Sequence, residues 1–313
     1  MPVEEEHRTI ATPAQVQRLL RVIGQQPQLF AQPVADIESM LDDRQLATLY
    51  WLTRFGWNGG AIAELGSYTG GSTVAYGRAL RALGARRDCL EVYDLFEHSA
   101  ESRVELAGQL GSDEVGFYTL WRRRTNAYTD LIDLHHGDFR AAAGLRTEPL
   151  EQLYVDIVKH ESLINPLMQQ MLPRLVVGGL LIHQDYFHWQ SPWVVYATEL
   201  VLDHFEIVGT VSNHMMVLCQ TSTPPTDLLG QDYLAVPRED VIAAMRRAIE
   251  RWKGIRAGLL RVSLINLTWD WPEFDTAAEV NLVRSEHEGH TRVLRYLNEV
   301  VRVGTAGGES PMW

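Results

Sequence analysis

Cysteine is scarce in this chain: its two occurrences, Cys89 and Cys219, both lie in apolar runs typical of strands. We therefore expect small buried side chains rather than a disulfide or a metal-binding pair. No apolar run approaches the roughly 20 residues that a membrane-spanning helix needs. The N-terminal residues 1–6, MPVEEE, lack the cationic region and apolar core of a secretory signal. Both absences predict a cytoplasmic protein with no membrane partner.

Positive charge is also in short supply, since the formal net charge is -12. Nucleic acid and anionic lipid repel such a chain, so neither is expected as a partner. A small molecule is the expected partner. The hydrophobic fraction of 46% and charged fraction of 22% are ordinary for a soluble globular protein. A length of 313 residues suits one large domain with extensions.

Short apolar runs alternate with helical patterns through the centre of the chain. The predicted strands are 61–65, 89–95, 131–136, 150–157, 176–183, 205–211 and 214–219. Strands separated by helices predict a parallel sheet covered on both faces, and the last two runs predict a hairpin at one edge. The expected fold is therefore α/β, with a doubly wound, mostly parallel, seven-stranded sheet.

Helical patterns flank this core on both sides. Residues 14–22 and 36–55 predict N-terminal helices within a segment 1–55, ahead of a core domain at 56–222. Beyond it, 223–313 predicts a C-terminal helical extension. That extension is expected to form helices at about 238–257 and 275–301. Its pattern leaves open a lid, a dimerisation arm, which would make a homodimer, or simple packing against the sheet.

One further motif lies in the extension. The run 286–290, EHEGH, lacks the spacing of a HExxH zinc site, so it predicts a solvated helix face.

A Gly-rich turn, 64–72 with the sequence ELGSYTGGS, follows the first strand and opens a helix. Free N–H groups and the positive dipole end of a helix attract a carboxylate or phosphate there. The spacing is not the dinucleotide fingerprint GxGxxG. An acid at the end of the second strand, Asp94, is the usual partner of ribose hydroxyls. The simpler alternative is a tight turn that binds nothing, but the turn and Asp94 together favour a ligand.

The turn, the strand ending in 92–96 (VYDLF) and the run 137–139 (GDF) resemble the motifs of class I S-adenosylmethionine (SAM)-dependent methyltransferases. The resemblance covers about residues 55–222 and is closest to the macrocin O-methyltransferase type. Catechol and caffeoyl-CoA O-methyltransferases are more distant relatives. It implies a Rossmann-like methyltransferase fold that binds SAM. The cofactor-binding residues that it implies are Glu64, Gly66, Tyr68, Gly71, Ser72, Asp94, Leu95, Asp138 and Phe139.

A second constellation follows the fourth and fifth strands. Metal-dependent O-methyltransferases of this kind carry Asp-x-x-Lys after the fourth strand, which Asp156 and Lys159 match. They carry Asp-Asn or Asp-Asp after the fifth, where this chain has Gln184-Asp185. Gln is a weaker ligand for a hard cation than a carboxylate. The resemblance thus implies a metal site at Asp156, Gln184 and Asp185 that would hold Mg²⁺, and the departure at Gln184 leaves the metal open.

Histidines offer a route to a general base without a metal. His160, His183 and His188 are predicted near the same strand ends, and a His titrates near neutrality. The alternative for each is a structural or surface histidine. The candidate catalytic residues are therefore Asp156, Lys159, His160 and His183. The aromatic run 186–193 that follows is interpreted either as an acceptor wall or as ordinary core.

These features predict a SAM-dependent O-methyltransferase that acts on a hydroxylated small molecule of the natural-product type. Two rivals use the same fold. The chain could bind SAM and catalyse a non-methylating reaction, such as a cyclisation or an elimination. It could also be a degenerate, non-catalytic partner subunit.

Overall fold

The computed structural model describes residues 11–97, 117–142 and 146–305, and contains one seven-stranded sheet in the order β3-β2-β1-β4-β5-β7-β6. The strands are β1 (Ala61–Leu65), β2 (Leu90–Asp94), β3 (Ile132–His136), β4 (Leu150–Val155), β5 (Leu175–His183), β6 (Phe205–Val211) and β7 (Met215–Gln220). β1 to β5 are parallel, and β7 runs antiparallel to both β5 and β6. The predicted mostly parallel sheet with a terminal hairpin is confirmed.

Helices cover both faces of this sheet. They are α1 (Pro13–Gln25), α2 (Pro27–Ala31), α3 (Asp43–Gly56), α4 (Gly71–Ala82), α5 (Phe117–Thr125), α6 (Phe139–Ala142), α7 (Pro192–Val201), α8 (Thr226–Gly230), α9 (Arg238–Arg251), α10 (Ile255–Thr268), α11 (Thr276–Glu286) and α12 (Thr291–Thr305). Every residue of β1, β2 and β4 is buried, as expected for parallel strands packed on both faces. Cys89 and Cys219 are free and buried, which confirms their predicted role.

Two N-terminal helices begin at side-chain caps. The Thr12 hydroxyl accepts from Gln15 N, and the Asp42 carboxylate accepts from Gln45 N, each in a capping box. The Asp42 cap explains why α3 starts at Asp43 rather than at the predicted residue 36. α1 packs on the edge strand β6, where the Gln17 amide donates to Glu206 at 2.8 Å.

The apolar spacing of residues 162–175 predicts a helix, but the structure has a series of short turns there. It consists of a 3₁₀ turn, one α-helical turn, a π-helical turn over Leu167–Met171 and a second 3₁₀ turn. Pro166 and Pro173 lie within it, and a proline removes one backbone donor and clashes with the preceding turn. The helical periodicity was visible in the sequence, but the prolines break the helix.

The C-terminal extension contains more helices than expected. The predicted helix at 238–257 ends at Arg251, and α10 starts after Gly254, whose φ is +59°. The predicted helix at 275–301 is divided into α11 and α12. His287 lies between them and is buried against Gly258, so the prediction of a solvated helix face was wrong at this residue.

Helices of the extension and strands of the sheet share one apolar core. This core includes Leu65 and Leu181 from the sheet with Leu260 and Leu297 from the extension. The division of the chain into segments 1–55, 56–222 and 223–313 stays a prediction. No helix in the described ranges is long and apolar enough to cross a membrane.

Gly66 has a steric role that can be tested. Its φ is +87°, and an added Cβ would lie 3.2 Å from the Asp156 carbonyl oxygen and overlap the Ile157 side chain. Gly84 is a matched control, because its φ is +68° and nothing lies within 4 Å of an added Cβ. We expect Gly84→Ala to cost about 1–2 kcal/mol from backbone strain alone. Gly66→Ala should cost about 1–3 kcal/mol more, because the ends of β1 and β4 must move apart.

Chemical denaturation of the two variants measures this difference. Equal losses of unfolding free energy in Gly66→Ala and Gly84→Ala would contradict a close approach of the β1 and β4 ends.

Candidate cofactor and acceptor site

The carboxyl ends of β1, β2 and β4 meet at one rim. Gly66 N donates to the Tyr93 carbonyl at 2.9 Å, and Asp156 N donates to the Leu65 carbonyl at 2.8 Å. The sheet order reverses between β1 and β4, which is where open α/β sheets bind ligands. The Gly-rich turn and the Asp156 segment are therefore adjacent, as the alternation of strands and helices predicts.

Asp94 holds the Gly-rich turn in place. Its Oδ2 accepts from Ser67 N at 2.7 Å and from Tyr68 N at 2.8 Å, and its Oδ1 accepts from Phe96 N at 2.6 Å. Hydrogen bonds to a charged acceptor each contribute about 1.5–3 kcal/mol. The bonds from Ser67 and Tyr68 stabilise the left-handed backbone of Tyr68, whose φ is 51°. Asp94 thus orders the turn, a role that its spacing in the sequence did not reveal.

Glu64 lies beneath the start of α4. Its fully buried carboxyl accepts from the Ser72 hydroxyl and from the Thr73 hydroxyl, the latter at 2.7 Å. Burial raises the pKa of Glu64 to about 8, against the opposing effect of these two hydroxyls. Glu64 and Ser72 therefore support the helix start from below. The opposite side of this start is covered by Ser39, which an added Cβ on Gly71 would strike.

The remaining predicted cofactor residues differ in exposure. Leu95 is 45% exposed at the end of β2. Asp138 is partly exposed and binds the Arg140 guanidinium at 2.6 Å, which lowers the pKa of its carboxyl. Phe139 is buried with its ring edge-on to Tyr93, at 5.7 Å between centroids. The structure thus places Leu95 and Asp138 where a ligand can reach them, whereas Phe139 is part of the core.

The second constellation is a compact cluster of charges. The Lys159 ammonium binds Asp185 Oδ2 and lies 3.4 Å from Asp156 Oδ1. The Tyr154 hydroxyl lies 3.4 Å from Asp156 Oδ2 and 3.3 Å from Gln184 Oε1. The structure therefore brings together Asp156, Lys159, Gln184 and Asp185, and it adds Tyr154 from β4.

The two carboxyls of this cluster differ in pKa. Burial and the negative charge of Asp185 raise the pKa of Asp156 to about 7, against the opposing effect of Lys159. Lys159 binds Asp185 more closely and holds the pKa of that carboxyl below its usual value, against the opposing effect of burial. The two carboxylates in turn raise the pKa of Lys159 in spite of its burial. At neutral pH the cluster thus contains an anion, Asp185, a cation, Lys159, and a carboxyl, Asp156, whose pKa is about 7.

The residues do not fit a divalent metal. The Lys159 ammonium lies between the two carboxylates that a cation would need, and Gln184 supplies only a neutral oxygen. Within 11–97, 117–142 and 146–305, no three His, Cys, Asp or Glu side chains are grouped so that they could hold a metal. We therefore assign no step to Mg²⁺.

His160 and His183 lie apart from this cluster. His160 is exposed, and its Nδ1 accepts from Ser162 N at 3.1 Å, so it caps the following turn. His183 points into the core beneath α7, with its Nε2 3.1 Å from the Thr198 hydroxyl. Burial lowers the pKa of His183 to about 3, so it stays neutral. Neither ring has a described contact with Asp156, Lys159 or Asp185, and a catalytic role for either stays a prediction.

Two other histidines flank Asp185. Nδ1 of His214 lies 3.9 Å from Asp185 Oδ1. The His188 ring stacks on the His214 ring, with 6.4 Å between the two centroids. His188 was expected near the site, whereas His214 was missed. A signal for it was available, because β7 runs antiparallel to β5 with Met216 opposite His183, which places His214 beyond the end of β5.

The aromatic run after β5 lies mainly in the core. Tyr186, Phe187 and Trp189 are buried, and Phe187 packs edge-on against Trp252 of the extension at 5.1 Å between centroids. The interpretation of this run as ordinary core therefore holds for these three rings. His188 is the member of the run that contacts the other site histidine.

A comparison of sequences finds a similarity over the centre of the chain. Residues 63–186 match a family model described as a methyltransferase domain. This segment contains the Gly-rich turn, Asp94 and the whole charged cluster from Asp156 to Asp185. Over these residues the chain is similar to that family. No significant match was found among the curated proteins.

Similar folds occur among solved structures. The O-methyltransferase NovP is 18% identical, with a TM-score of 0.47, over 67% of this chain and 99% of its own. The SAH-bound methyltransferase PaMTH1 of Podospora anserina is 14% identical, with a TM-score of 0.43, over 70% and 92%. The calicheamicin methyltransferase CalS11 is 15% identical, with a TM-score of 0.44, over 70% and 97%. Likenesses at this level carry no argument about substrate, and the macrocin-type resemblance stays a prediction.

The buried Glu64 generates a pH prediction. Its folded pKa of about 8 lies above the ordinary glutamate pKa of 4.5, so the stability that it contributes is full below pH 4.5 and is lost as pH rises to about 8. Glu64→Gln cannot titrate and keeps the shape of the side chain. The difference in unfolding free energy, wild type minus variant, should therefore fall by about 1.4 kcal/mol per pH unit across this window and then level off.

Chemical denaturation at several pH values between 4 and 9 measures this difference. Parallel curves for wild type and Glu64→Gln would show that the Glu64 carboxyl is ionised in the folded protein at neutral pH.

Proposed function

We propose that this protein is a SAM-dependent methyltransferase that methylates a hydroxyl group on a small molecule, of the natural-product type. The observation that carries the proposal is the contact between the Gly-rich turn and the charged cluster. Gly66 lies against the backbone of Asp156, so a cofactor on the turn and an acceptor at the cluster would share one rim. A base beside a cofactor site is the arrangement that transfer to a hydroxyl requires.

The proposed SAM site uses the turn and the ends of β2 and β3. The backbone of the turn, ordered by Asp94, would receive the methionine end of SAM. Leu95 and Asp138, which a ligand can reach, would face the ribose and adenine. Bound SAM supplies an electrophilic methyl group on a sulfonium, and the protein need only bind, orient and deprotonate the acceptor.

In the proposed mechanism the acceptor hydroxyl lies against Asp156 and Lys159. Asp156 is the base, because a carboxyl with a pKa near 7 accepts a proton at neutral pH better than an ordinary carboxylate. Lys159 remains an ammonium and stabilises the negative charge that develops on the acceptor oxygen. Asp185 holds Lys159 in place. The proton would move from the acceptor oxygen to an Asp156 oxygen, while SAM held by the turn would supply the methyl group to that oxygen and leave as S-adenosylhomocysteine.

Two measurements test the function. Titration calorimetry with SAM and with S-adenosylhomocysteine tests binding, and transfer of a labelled methyl group to a panel of phenols and sugar alcohols tests the reaction. We expect binding of both nucleosides and transfer that is insensitive to EDTA. Binding without transfer across the panel would favour a non-methylating reaction, and the absence of binding would favour a non-catalytic subunit. Activity that EDTA abolishes would overturn the metal-free mechanism.

The charges of the cluster generate a paired pH prediction. kcat/KM should rise with pH to a plateau, with a midpoint near the pKa of Asp156. Lys159→Met should raise that midpoint, because the opposite charge that favours ionised Asp156 is gone. Asp185→Asn should lower it, because the like charge that opposes ionisation is gone.

Rate profiles from pH 5 to 9 for the three proteins measure both shifts. Shifts of the same sign in the two variants, or no shift in either, would remove Asp156 as the base. Lys159→Met should also lower kcat by roughly 100-fold or more, since the cation near the acceptor oxygen is lost.

A further inference from the structure

The last helix of the C-terminal extension reaches the acceptor side of the rim. In the first turn of α12, Arg292 Nη1 lies 3.4 Å from the Ser212 carbonyl oxygen and 3.1 Å from Nε2 of His214. One turn later, the Tyr296 ring packs edge-on against His188, at 5.1 Å between centroids. The extension therefore contacts both histidines that flank Asp185.

Arg292 occupies an unfavourable position for its own helix. The N-terminus of a helix carries a positive partial charge, so a cation in the first turn is disfavoured by about 0.3–1 kcal/mol. Among the residues described, no carboxylate lies within salt-bridge distance of this guanidinium. The carbonyl of Ser212 and the ring of His214 are thus the contacts that stabilise it there.

The chemistry of this contact determines where His214 carries its proton. A guanidinium has donors and no acceptor, so Nε2 of His214 must accept from Arg292. A neutral imidazole that accepts at Nε2 carries its hydrogen on Nδ1. Nδ1 faces Asp185 Oδ1 at 3.9 Å, while Oδ2 of the same carboxylate binds Lys159.

We propose that Arg292 is a positioning residue that holds His214 in its Nδ1–H tautomer, with the N–H dipole directed at Asp185. The opposite tautomer would turn a lone pair toward the carboxylate, and the repulsion would push Asp185 away from its position beside Lys159. A doubly protonated ring would compete with Lys159 for the same carboxylate. In either case Lys159 would be held less firmly beside Asp156.

This proposal gives the C-terminal extension a part in the site. A chain of contacts leads from α12 through Arg292, His214 and Asp185 to Lys159. Its consequence for catalysis rests on the proposed function, in which Lys159 stabilises charge on the acceptor. The tautomer itself is a property of the protein alone and does not depend on methyl transfer.

Nitrogen-15 NMR of the full chain, labelled at histidine, tests the tautomer at neutral pH without any ligand. Protonated and unprotonated ring nitrogens have well separated shifts, and coupling to the ring protons tells Nδ1 from Nε2. The chain contains 11 histidines, so a His214→Gln variant assigns the signal. The wild type should show His214 with hydrogen on Nδ1. A ring with hydrogen on Nε2, or on both nitrogens, would overturn the proposal without any further variant.

Variants then test the role of Arg292. Arg292→Met should lose the Nδ1–H population, and Arg292→Lys, which keeps a donor, should restore it at least in part. Arg295→Met is the matched control, because Arg295 lies on the same helix and is exposed, with its guanidinium over the Tyr296 ring. It should leave the His214 signal unchanged. An unchanged His214 tautomer in a folded Arg292→Met protein would show that another group sets it.

Kinetics add a readout that separates positioning from binding. With an acceptor from the methyl-transfer panel, Arg292→Met should lower kcat and leave the KM for SAM unchanged, and Arg292→Lys should recover part of kcat. A rise in the KM for SAM with kcat unchanged would contradict the proposal. If no acceptor is turned over, the proposed function fails, and the NMR result still decides the tautomer.

Discussion

The close approach of β1 and β4 at Gly66 is the constraint on which the rim depends. A side chain at this position would push the Ile157 segment away, and with it Asp156 and Lys159. The absence of a Cβ at Gly66 therefore lets the Gly-rich turn and the segment after β4 lie against each other. Asp94 fixes the residues that follow Gly66, because its carboxylate accepts from Ser67 N and Tyr68 N. The two features together give the rim a defined shape before any ligand arrives.

Electrostatic asymmetry then divides two similar acids into different roles. Asp156 and Asp185 are both largely shielded from water, and both contact Lys159. The Lys159 ammonium lies closer to Asp185 than to Asp156. It therefore lowers the pKa of Asp185 below its usual value, whereas burial and the charge of Asp185 raise the pKa of Asp156. One acid becomes a fixed counter-ion and the other a group that exchanges a proton near neutral pH. The position of one cation, rather than the identity of either acid, makes this division.

The sequence predicted the parts of the molecule that follow local rules. Alternating apolar runs located all seven strands, and Gly and Asp at strand ends located the rim. Features that depend on tertiary contacts were not predictable in this way. His183 was expected at the site because it ends a strand, but the side-chain alternation of β5 directs it beneath α7. The prolines in 161–174 were visible, and a closer reading of them would have predicted the broken helix.

The contribution of the extension was the least predictable part. Nothing in the local pattern of Arg292 or Tyr296 connects them to Ser212, His214 or His188, which lie far earlier in the chain. That connection exists because α12 packs on the core shared with the sheet, and shared packing is a property of the whole chain. His214 could have been found, since the hairpin and the antiparallel register place it beside Asp185. Register carries information that motif spacing does not.

Lys159 also has a consequence for how the protein can be probed. The chain has 28 basic residues, and only Lys159 and Lys253 are lysines. Arginine carries its donors in a fixed planar fork, whereas the compact ammonium of Lys159 contacts both carboxylates. An amine-selective reagent therefore has two side-chain targets in the entire protein, besides the α-amino group. One of them lies at the proposed point of chemistry, where reactivity would report directly on whether its two carboxylates still hold it.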